Sequence, residues 1–470
     1  MRHTKFALAL LAAAALTACG GGSNGTSAKE QELNTKFTAL VSFGDSLSDV
    51  GSYRVGSIAA LGGGQFTING NNTATSATLT GKNWSALMAA QFGLPAPCAA
   101  QTGLDGDPTK GFAVPVVNHA ECFSYAQGGA RVSNPNGPEH TSDLGLLTVP
   151  VLTQINNHLA KTGGHFSGTE AVFVTVGGND ALMLLEQMKI EATAAGHAAG
   201  ATQGAIVGQQ TFITTLVGLL AQNATNPQTA AAAIGQAVGI EAARAGSTPQ
   251  TIIGVAVGTA AIQPGNAAVA QPAVYGPMVV VAQTAATTAG NAAGAAAGAA
   301  AGAAYAAEHA PALITAMGGY GAELATMVKT LIVAKGANYV VVNNLPDLGG
   351  APVGKAQDAG TQALINAMVG AFNAQLKAGV AAETKILYVD LFSTSHDQII
   401  NPVPYGLSNT TTAACATNLL GGASLVCNGT NLIAGDVSHF MFADNIMPTP
   451  FENTLIAKYV ALQMVIKGWL

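Results

Sequence analysis

Four short runs constrain this chain more than any other feature: Thr38-Ala39-Leu40-Val41-Ser42-Phe43, Ala171-Val172-Phe173-Val174-Thr175-Val176, Tyr339-Val340-Val341-Val342 and Ile386-Leu387-Tyr388-Val389. Each is apolar along most of its length instead of alternating, which predicts a strand buried on both faces. Helix-length segments separate them. Strands of this kind alternating with helices give a parallel sheet covered by helices, with the loops at the strand carboxyl ends carrying any site. The fold class is therefore α/β, and the stretch from Phe451 to Lys467 predicts a closing helix.

Between about Leu185 and Met327 the composition turns to Ala, Gly, Thr and Gln with almost no charge, which marks residues 186–324 as an insertion between two halves, 37–185 and 325–470, of one domain. Glycine recurs every fourth residue at Gly196, Gly200, Gly204 and Gly208, in the pairs Gly235/Gly239 and Gly254/Gly258, and again at Gly290, Gly294, Gly298 and Gly302. That spacing lines one stripe of a helix and lets another backbone approach closely. Packed helical hairpins are expected. Spans in lipid are disfavoured because Gln209, Gln210, Gln222, Asn223, Gln283, Asn291 and Glu308 interrupt any clean apolar run of about 20 residues.

Charged residues make up 9% of the chain and apolar ones 49%, too hydrophobic for disorder. The formal charge of -6 and the lack of a basic cluster argue against nucleic acid as a partner, since neutralising phosphates takes a basic face. Arg2, His3 and Lys5 followed by an apolar run from Phe6 to Leu16 read as a signal peptide over residues 1–18. Leu16-Thr17-Ala18-Cys19 resembles a bacterial lipobox, which implies lipidation of Cys19, a flexible tether over 19–36 and delivery to the outer membrane of a Gram-negative bacterium. Export permits oxidation. The remaining Cys98, Cys122, Cys415 and Cys427 allow three pairings, and the sequence-local pairs Cys98–Cys122 and Cys415–Cys427 are favoured because each closes a polar, Gly-rich loop. No CxxC spacing accompanies them, so no metal is expected.

Acyl transfer from an ester needs a nucleophile, a base and donors for the oxyanion. Phe43-Gly44-Asp45-Ser46-Leu47 places a serine just past the first strand, Ser124-Tyr125-Ala126-Gln127-Gly128-Gly129-Ala130-Arg131 supplies a Gly-Gly turn, and Gly177-Gly178-Asn179-Asp180 directly follows the second strand. In this order the three runs resemble the first three blocks of the GDSL (SGNH) hydrolases. Asn343-Asn344-Leu345-Pro346-Asp347-Leu348-Gly349 and the segment from Asp390 to Gly406 are similar to loops of lipase-like members. The resemblance covers roughly 37–185 and 328–470. It implies an SGNH, flavodoxin-like three-layer fold, Ser46 as nucleophile, Gly129 and Asn179 as oxyanion donors, no cofactor, and hydrolysis of small-molecule or lipid carboxylic esters.

The family's Asp-x-x-His-Pro-Thr run bends here. Phe442-Ala443-Asp444-Asn445-Ile446-Met447-Pro448-Thr449 matches it with Asp444 in place, but Met447 stands at the histidine. A thioether is no general base near neutrality. His439, with Asp436 three residues earlier, is the first substitute, and His396 the second. Two readings stay open: an esterase or lipase whose base is His439, and an envelope lipoprotein that binds esters with impaired catalysis.

Overall fold

The computed structural model describes residues 35–70 and 81–470. The expected leader, Cys19 and the tether as far as residue 34 lie outside the described residues. The strands are β1 (Leu40–Gly44), β2 (Gln101–Asp105), β3 (Ala113–Asn118), β4 (Ala171–Thr175), β5 (Tyr339–Asn343) and β6 (Ile386–Val389). The helices are α1 (Gly56–Ala60), α2 (Trp84–Gln91), α3 (Val151–Lys161), α4 (Gly178–Ala221), α5 (Pro227–Ala242), α6 (Pro249–Ala261), α7 (Pro272–Met327), α8 (Pro352–Lys355), α9 (Ala359–Val380), α10 (Leu391–Ile400) and α11 (Pro450–Ile466).

The four apolar runs form one parallel sheet in the order β1-β4-β5-β6, an arrangement compatible with an SGNH-like fold. Side-chain alternation splits its residues between two cores. Leu40, Ala171, Phe173, Val341, Leu387 and Val389 join Trp84 and Met88 of α2 and Val460 and Met464 of α11. Phe43 points the other way, its ring edge-on to His158 of α3 and to Phe166. Beyond β1, the segment Phe123–Gln127 runs alongside as a further edge: Ser42 N donates to the Phe123 carbonyl, Tyr125 N to the Ser42 carbonyl and Gln127 N to the Gly44 carbonyl. This edge carries too little apolar sequence to read as a strand. β2 and β3 form a separate antiparallel pair.

Both disulfides join the sequence-local partners, Cys98 with Cys122 and Cys415 with Cys427. The first ties down the loop leading into the edge segment. The second staples the loop that precedes α11.

The chain divides into two compact units, one of residues up to Leu185 together with Ala312–Leu470, the other Glu186–Pro311. Within the second unit, Leu216, Leu220, Ile234, Val238, Ile252, Ala256 and Val269 make a small aliphatic core. Asn226 and Thr248 cap α5 and α6 by accepting from Thr229 N and Thr251 N. The glycine stripes behave in two ways. On α4 and α7 they meet face to face in antiparallel register: a Cβ on Gly200 would stand 2.7 Å from the Gly294 carbonyl oxygen, and one on Gly196 2.8 Å from that of Gly298. A Cβ at Gly235, Gly239, Gly254 or Gly258 would meet no atom of the described residues within 4 Å beyond its own helix backbone, so the expected close approach fails there. The spacing is the same, but only two of the stripes face a partner stripe.

The two kinds of glycine predict opposite signs for one substitution. Gly239→Ala should stabilise by about 0.5–1 kcal/mol, the ordinary helix propensity gain. Gly200→Ala should lower the thermal midpoint despite the same gain, because its methyl strikes a backbone oxygen. Melting curves of the two variants followed by circular dichroism check this, and equal stabilisation by both would contradict the close packing.

Candidate active site

Ser46 sits half-buried in the turn that leaves β1. The turn is tight because Gly44 (φ 153°) has no side chain: a Cβ there would lie 2.2 Å from the Thr175 carbonyl oxygen on neighbouring β4. Gln154 of α3 holds the same glycine from the side, its Oε1 accepting from Gly44 N and its Nε2 donating to the Gly44 carbonyl, both at 2.8 Å. Asp49 then locks the turn to the Gly-Gly loop, its carboxylate accepting from Gly51 N, Ser52 N and Gly128 N at 2.8, 2.8 and 2.9 Å. Neither Gln154 nor Asp49 stands out in the sequence as a site residue. Asp49 lies three residues past the serine, and only its bond to Gly128, a contact across 79 positions, shows its use.

Three N–H groups are available around this turn. The backbone N–H of Ser46 and that of Gly129 have no acceptor among the described residues. Gly129 holds φ 80°, and a Cβ on it would meet Thr148 Cγ2 at 2.5 Å, so conformation and space both demand glycine. Asn179, buried at the start of α4 where β4 ends, donates one amide hydrogen of Nδ2 to the Ala130 carbonyl at 2.8 Å. Its second remains for a ligand, and the bond fixes the side chain beside the Gly129 loop.

The next residue, Asp180, lies in the first turn of α4 but bonds no backbone N–H of that helix. Its carboxylate instead accepts from Arg131 Nε at 2.9 Å and from Val132 N at 3.0 Å, while Arg131 Nη2 reaches Tyr320 Oη at 3.1 Å. Burial pushes the Asp180 carboxyl up to about 6 against the pull of Arg131. Removing the arginine would leave a buried carboxyl unpaired.

The base is where the structure departs from the pattern. The Ser46 hydroxyl donates to the Met447 thioether sulfur, Oγ to Sδ 3.4 Å, across 401 positions of sequence. Asp444, which in the family arrangement orients an imidazole, here holds backbone: Oδ1 accepts from Ile446 N and Met447 N at 2.9 and 2.8 Å, and Oδ2 from Ser424 N at 2.8 Å. Asp444 therefore positions Met447. His439 makes no hydrogen bond to Ser46. Its Nδ1 lies 2.6 Å from the Gly406 carbonyl oxygen, its ring packs 4.2 Å from that of Phe451, and it is exposed. The spacing from Asp436 to His439 imitates the family run, but the loop carrying it is committed to Gly406. His396 pairs through Nδ1 with Asp347 Oδ2 at 2.7 Å and likewise makes no bond to Ser46.

A mostly apolar cavity of about 50 Å³ adjoins the serine turn. Leu47, which follows the serine, and Ile446 and Pro448, which flank Met447, line it together with Leu391, Phe442 and Ile456. Glu452 of α11 also lines it, and burial pushes that carboxyl up to about 8 although Gln398 Nε2 donates to it at 3.3 Å. Burial likewise pushes Asp45 up to about 7, against the Leu47 N–H that bonds its Oδ1.

No family model matches the chain. It is similar to GDSL esterases/lipases of Arabidopsis thaliana: one is 27% identical over 161 residues, 32% of this chain and 43% of that protein. A second is 36% identical over 80 residues, 17% of this chain and 22% of the relative, and GDSL esterase/lipase 7 is 34% identical over 99 residues, 20% and 27%. The chain thus matches less than half the length of each of these relatives. These likenesses support the GDSL family.

The site carries a pH prediction. Because the folded-state pKa of Glu452, about 8, lies above its ordinary 4.5, the acid is stabilised in its protonated form. That stability is complete below about 4.5 and is lost as pH rises through 8. Glu452→Gln keeps a neutral group of the same shape, so its melting temperature relative to wild type should climb between pH 5 and pH 9. A difference that stays flat with pH would show that Glu452 is ionised in the fold.

Proposed function

We propose that this protein hydrolyses carboxylic esters through an acyl-enzyme on Ser46, slowly, with oxyanion stabilisation supplying most of the catalysis. The observation that carries the reading is the unpaired N–H groups of Ser46 and Gly129 beside a fixed Asn179 amide, at the end of the strand that delivers the hydroxyl. The names of the similar proteins, esterase/lipase, agree with it at the level of the family.

In this mechanism Ser46 Oγ attacks the ester carbonyl carbon as its O–H bond breaks and the proton passes to solvent water, and the carbonyl oxygen becomes an oxyanion facing the Ser46 N–H, the Gly129 N–H and Asn179 Nδ2. Each such donor is worth about 10²–10³ in turnover in other serine hydrolases. Collapse breaks the bond to the leaving oxygen, which takes a proton from water and departs as the alcohol, and leaves the acyl group on Ser46, with the cavity beside Leu47 and Ile446 suited to a short apolar acyl chain. Water then attacks the acyl-enzyme and returns the serine. What this arrangement lacks is a proton acceptor: Met447 fixes the hydroxyl rotamer but takes no proton. Loss of the base from a working triad costs up to about 10⁶ in turnover, while oxyanion binding alone retains about 10³–10⁴ over water.

The contact between Ser46 and Met447 favours a second reading, an ester-binding protein with the site kept and turnover lost. Assays with p-nitrophenyl acetate separate the two. The first reading expects slow hydrolysis that Ser46→Ala abolishes, and the second expects the two to be equal.

The same assay tests the base. Met447→His, placed on the Asp444 turn, should raise kcat at least a hundredfold, and His439→Ala should change it less than threefold. A loss of a thousandfold or more in His439→Ala would mean that its loop leaves Gly406 and serves Ser46 after all.

Several sequence expectations complete the reading. We infer export, lipidation of Cys19 and an outer-membrane location, with residues 186–324 as an insertion in the hydrolase domain and no cofactor. Radiolabelled palmitate incorporated by the expressed chain and lost in Cys19→Ser would support the anchor, and incorporation unchanged by that substitution would remove it.

A further inference from the structure

The helices of the second unit carry apolar residues on every face rather than along one stripe, among uncharged Gln, Thr and Asn. In the 18-residue window of α4 with the highest mean hydropathy, 1.4, only 17% of residues are buried. A helix of that kind is ordinarily covered, by a core or by lipid. From residue 192 to residue 307 the only Asp, Glu, Lys or Arg residues are Glu241 and Arg244. These two neutralise each other, Arg244 Nε to Glu241 Oε2 at 2.8 Å and Nη2 to Oε1 at 2.6 Å. A surface designed to stay in water is given about 25–35% charged residues. Large aliphatic side chains stand out from this neutral exterior: Ile240 is 69% exposed, Ile262 79%, Val280 59% and Val281 52%.

Packing inside the unit points the same way. Where α4 and α7 meet at Gly196, Gly200 and Gly204 against Gly298, Gly294 and Gly290, backbone lies on backbone and no large side chain is buried between them. Water therefore drives that contact weakly, whereas close approach of small residues is the way helices associate in lipid. Thr202, Thr284, Thr287 and Thr288 each donate their hydroxyl to the carbonyl four residues back, so they present no unmet donor outward. Exposed Gln209, Gln210 and Gln283 keep the helices from being buried across the apolar layer.

We propose that residues 192–307 are a lipid-docking unit, which seats its neutral helices on a zwitterionic bilayer with Ile240, Ile262, Val280 and Val281 entering the acyl layer. The attraction is apolar and not electrostatic, since there is no basic face to meet anionic headgroups. A soluble protein partner would be steered and oriented by charged groups, and the only ones on residues 192–307, Glu241 and Arg244, are paired with each other. The contact is independent of any lipid on Cys19 and of chemistry at Ser46.

Flotation tests it with the chain from Gly20 onward, which has no anchor cysteine and keeps every described residue, mixed with phosphatidylcholine vesicles. The protein should float with the vesicles to the same extent in 0.1 M and 1 M NaCl. The variant combining Ile240→Glu, Ile262→Glu, Val280→Glu and Val281→Glu should float at least tenfold less while keeping its helical circular dichroism. As a second readout that needs no destabilising change, Ile262→Trp should be quenched by brominated phosphatidylcholine, against a background of buried Trp84 and Trp469. Wild-type protein that stays at the bottom, flotation abolished by salt, or no quenching would overturn the proposal. So would a lipid-free oligomer that the four glutamates dissociate, because a second copy would then cover these side chains.

Discussion

The pairing of β1 with β4 is the constraint on which the site depends. Gly44 lies opposite Thr175 in that register, so close that a methyl group in its place would overlap the Thr175 carbonyl oxygen. The two strands therefore end side by side, and the residues just beyond them, Ser46 after one and Asn179 after the other, leave at the same edge of the sheet. Gln154 secures the end of β1 by gripping both backbone groups of Gly44, and the Phe123–Gln127 edge brings in Gly129 from the other side. Carboxylates complete the frame: Asp49 joins the serine turn to Gly128, and Asp180 joins the start of α4 to Arg131 and Val132. Much of the buried charge near the site is thus spent on holding loops, not on proton transfer.

Against that frame of donors, the Ser46 hydroxyl meets sulfur. Asp444 stands where the Asp-x-x-His run of GDSL hydrolases has its aspartate, but it bonds the backbone of its own turn and so orients Met447. The result is a serine turn with unpaired N–H donors around it and a soft, apolar group against its hydroxyl. In the proposed reaction these donors lower the energy of a tetrahedral intermediate, because preorganised donors act whether or not a base is present. They do so on a hydroxyl that is not activated.

Much of this was legible in the sequence. The four apolar runs named the sheet because strands buried on both faces leave an unbroken hydrophobic signature, and the Gly-Asp-Ser run fell at a strand end because a turn there needs glycine. Met447 was readable as a departure from the Asp-x-x-His pattern. What sequence left open was contact: spacing made His439 a plausible base, and only the structure shows its ring engaged with Gly406 and Phe451. Gln154 and the Phe123–Gln127 edge left no trace, since a single polar residue on a helix and a loop of mixed composition carry no periodic signal. The glycine stripes were legible as stripes, but which of them face each other depends on helix placement that a spacing of four does not encode.

In the proposed mechanism Ser46 is served by oxyanion donors and by no imidazole. A crystal structure of the protein after prolonged reaction with a fluorophosphonate tests it most directly. The expected adduct is a phosphonyl group on Ser46 Oγ whose oxygen lies within about 3 Å of Ser46 N, Gly129 N and Asn179 Nδ2, with Met447 beside it and His439 still on Gly406. An adduct with His439 or His396 drawn within hydrogen-bond distance of Ser46 Oγ would contradict it.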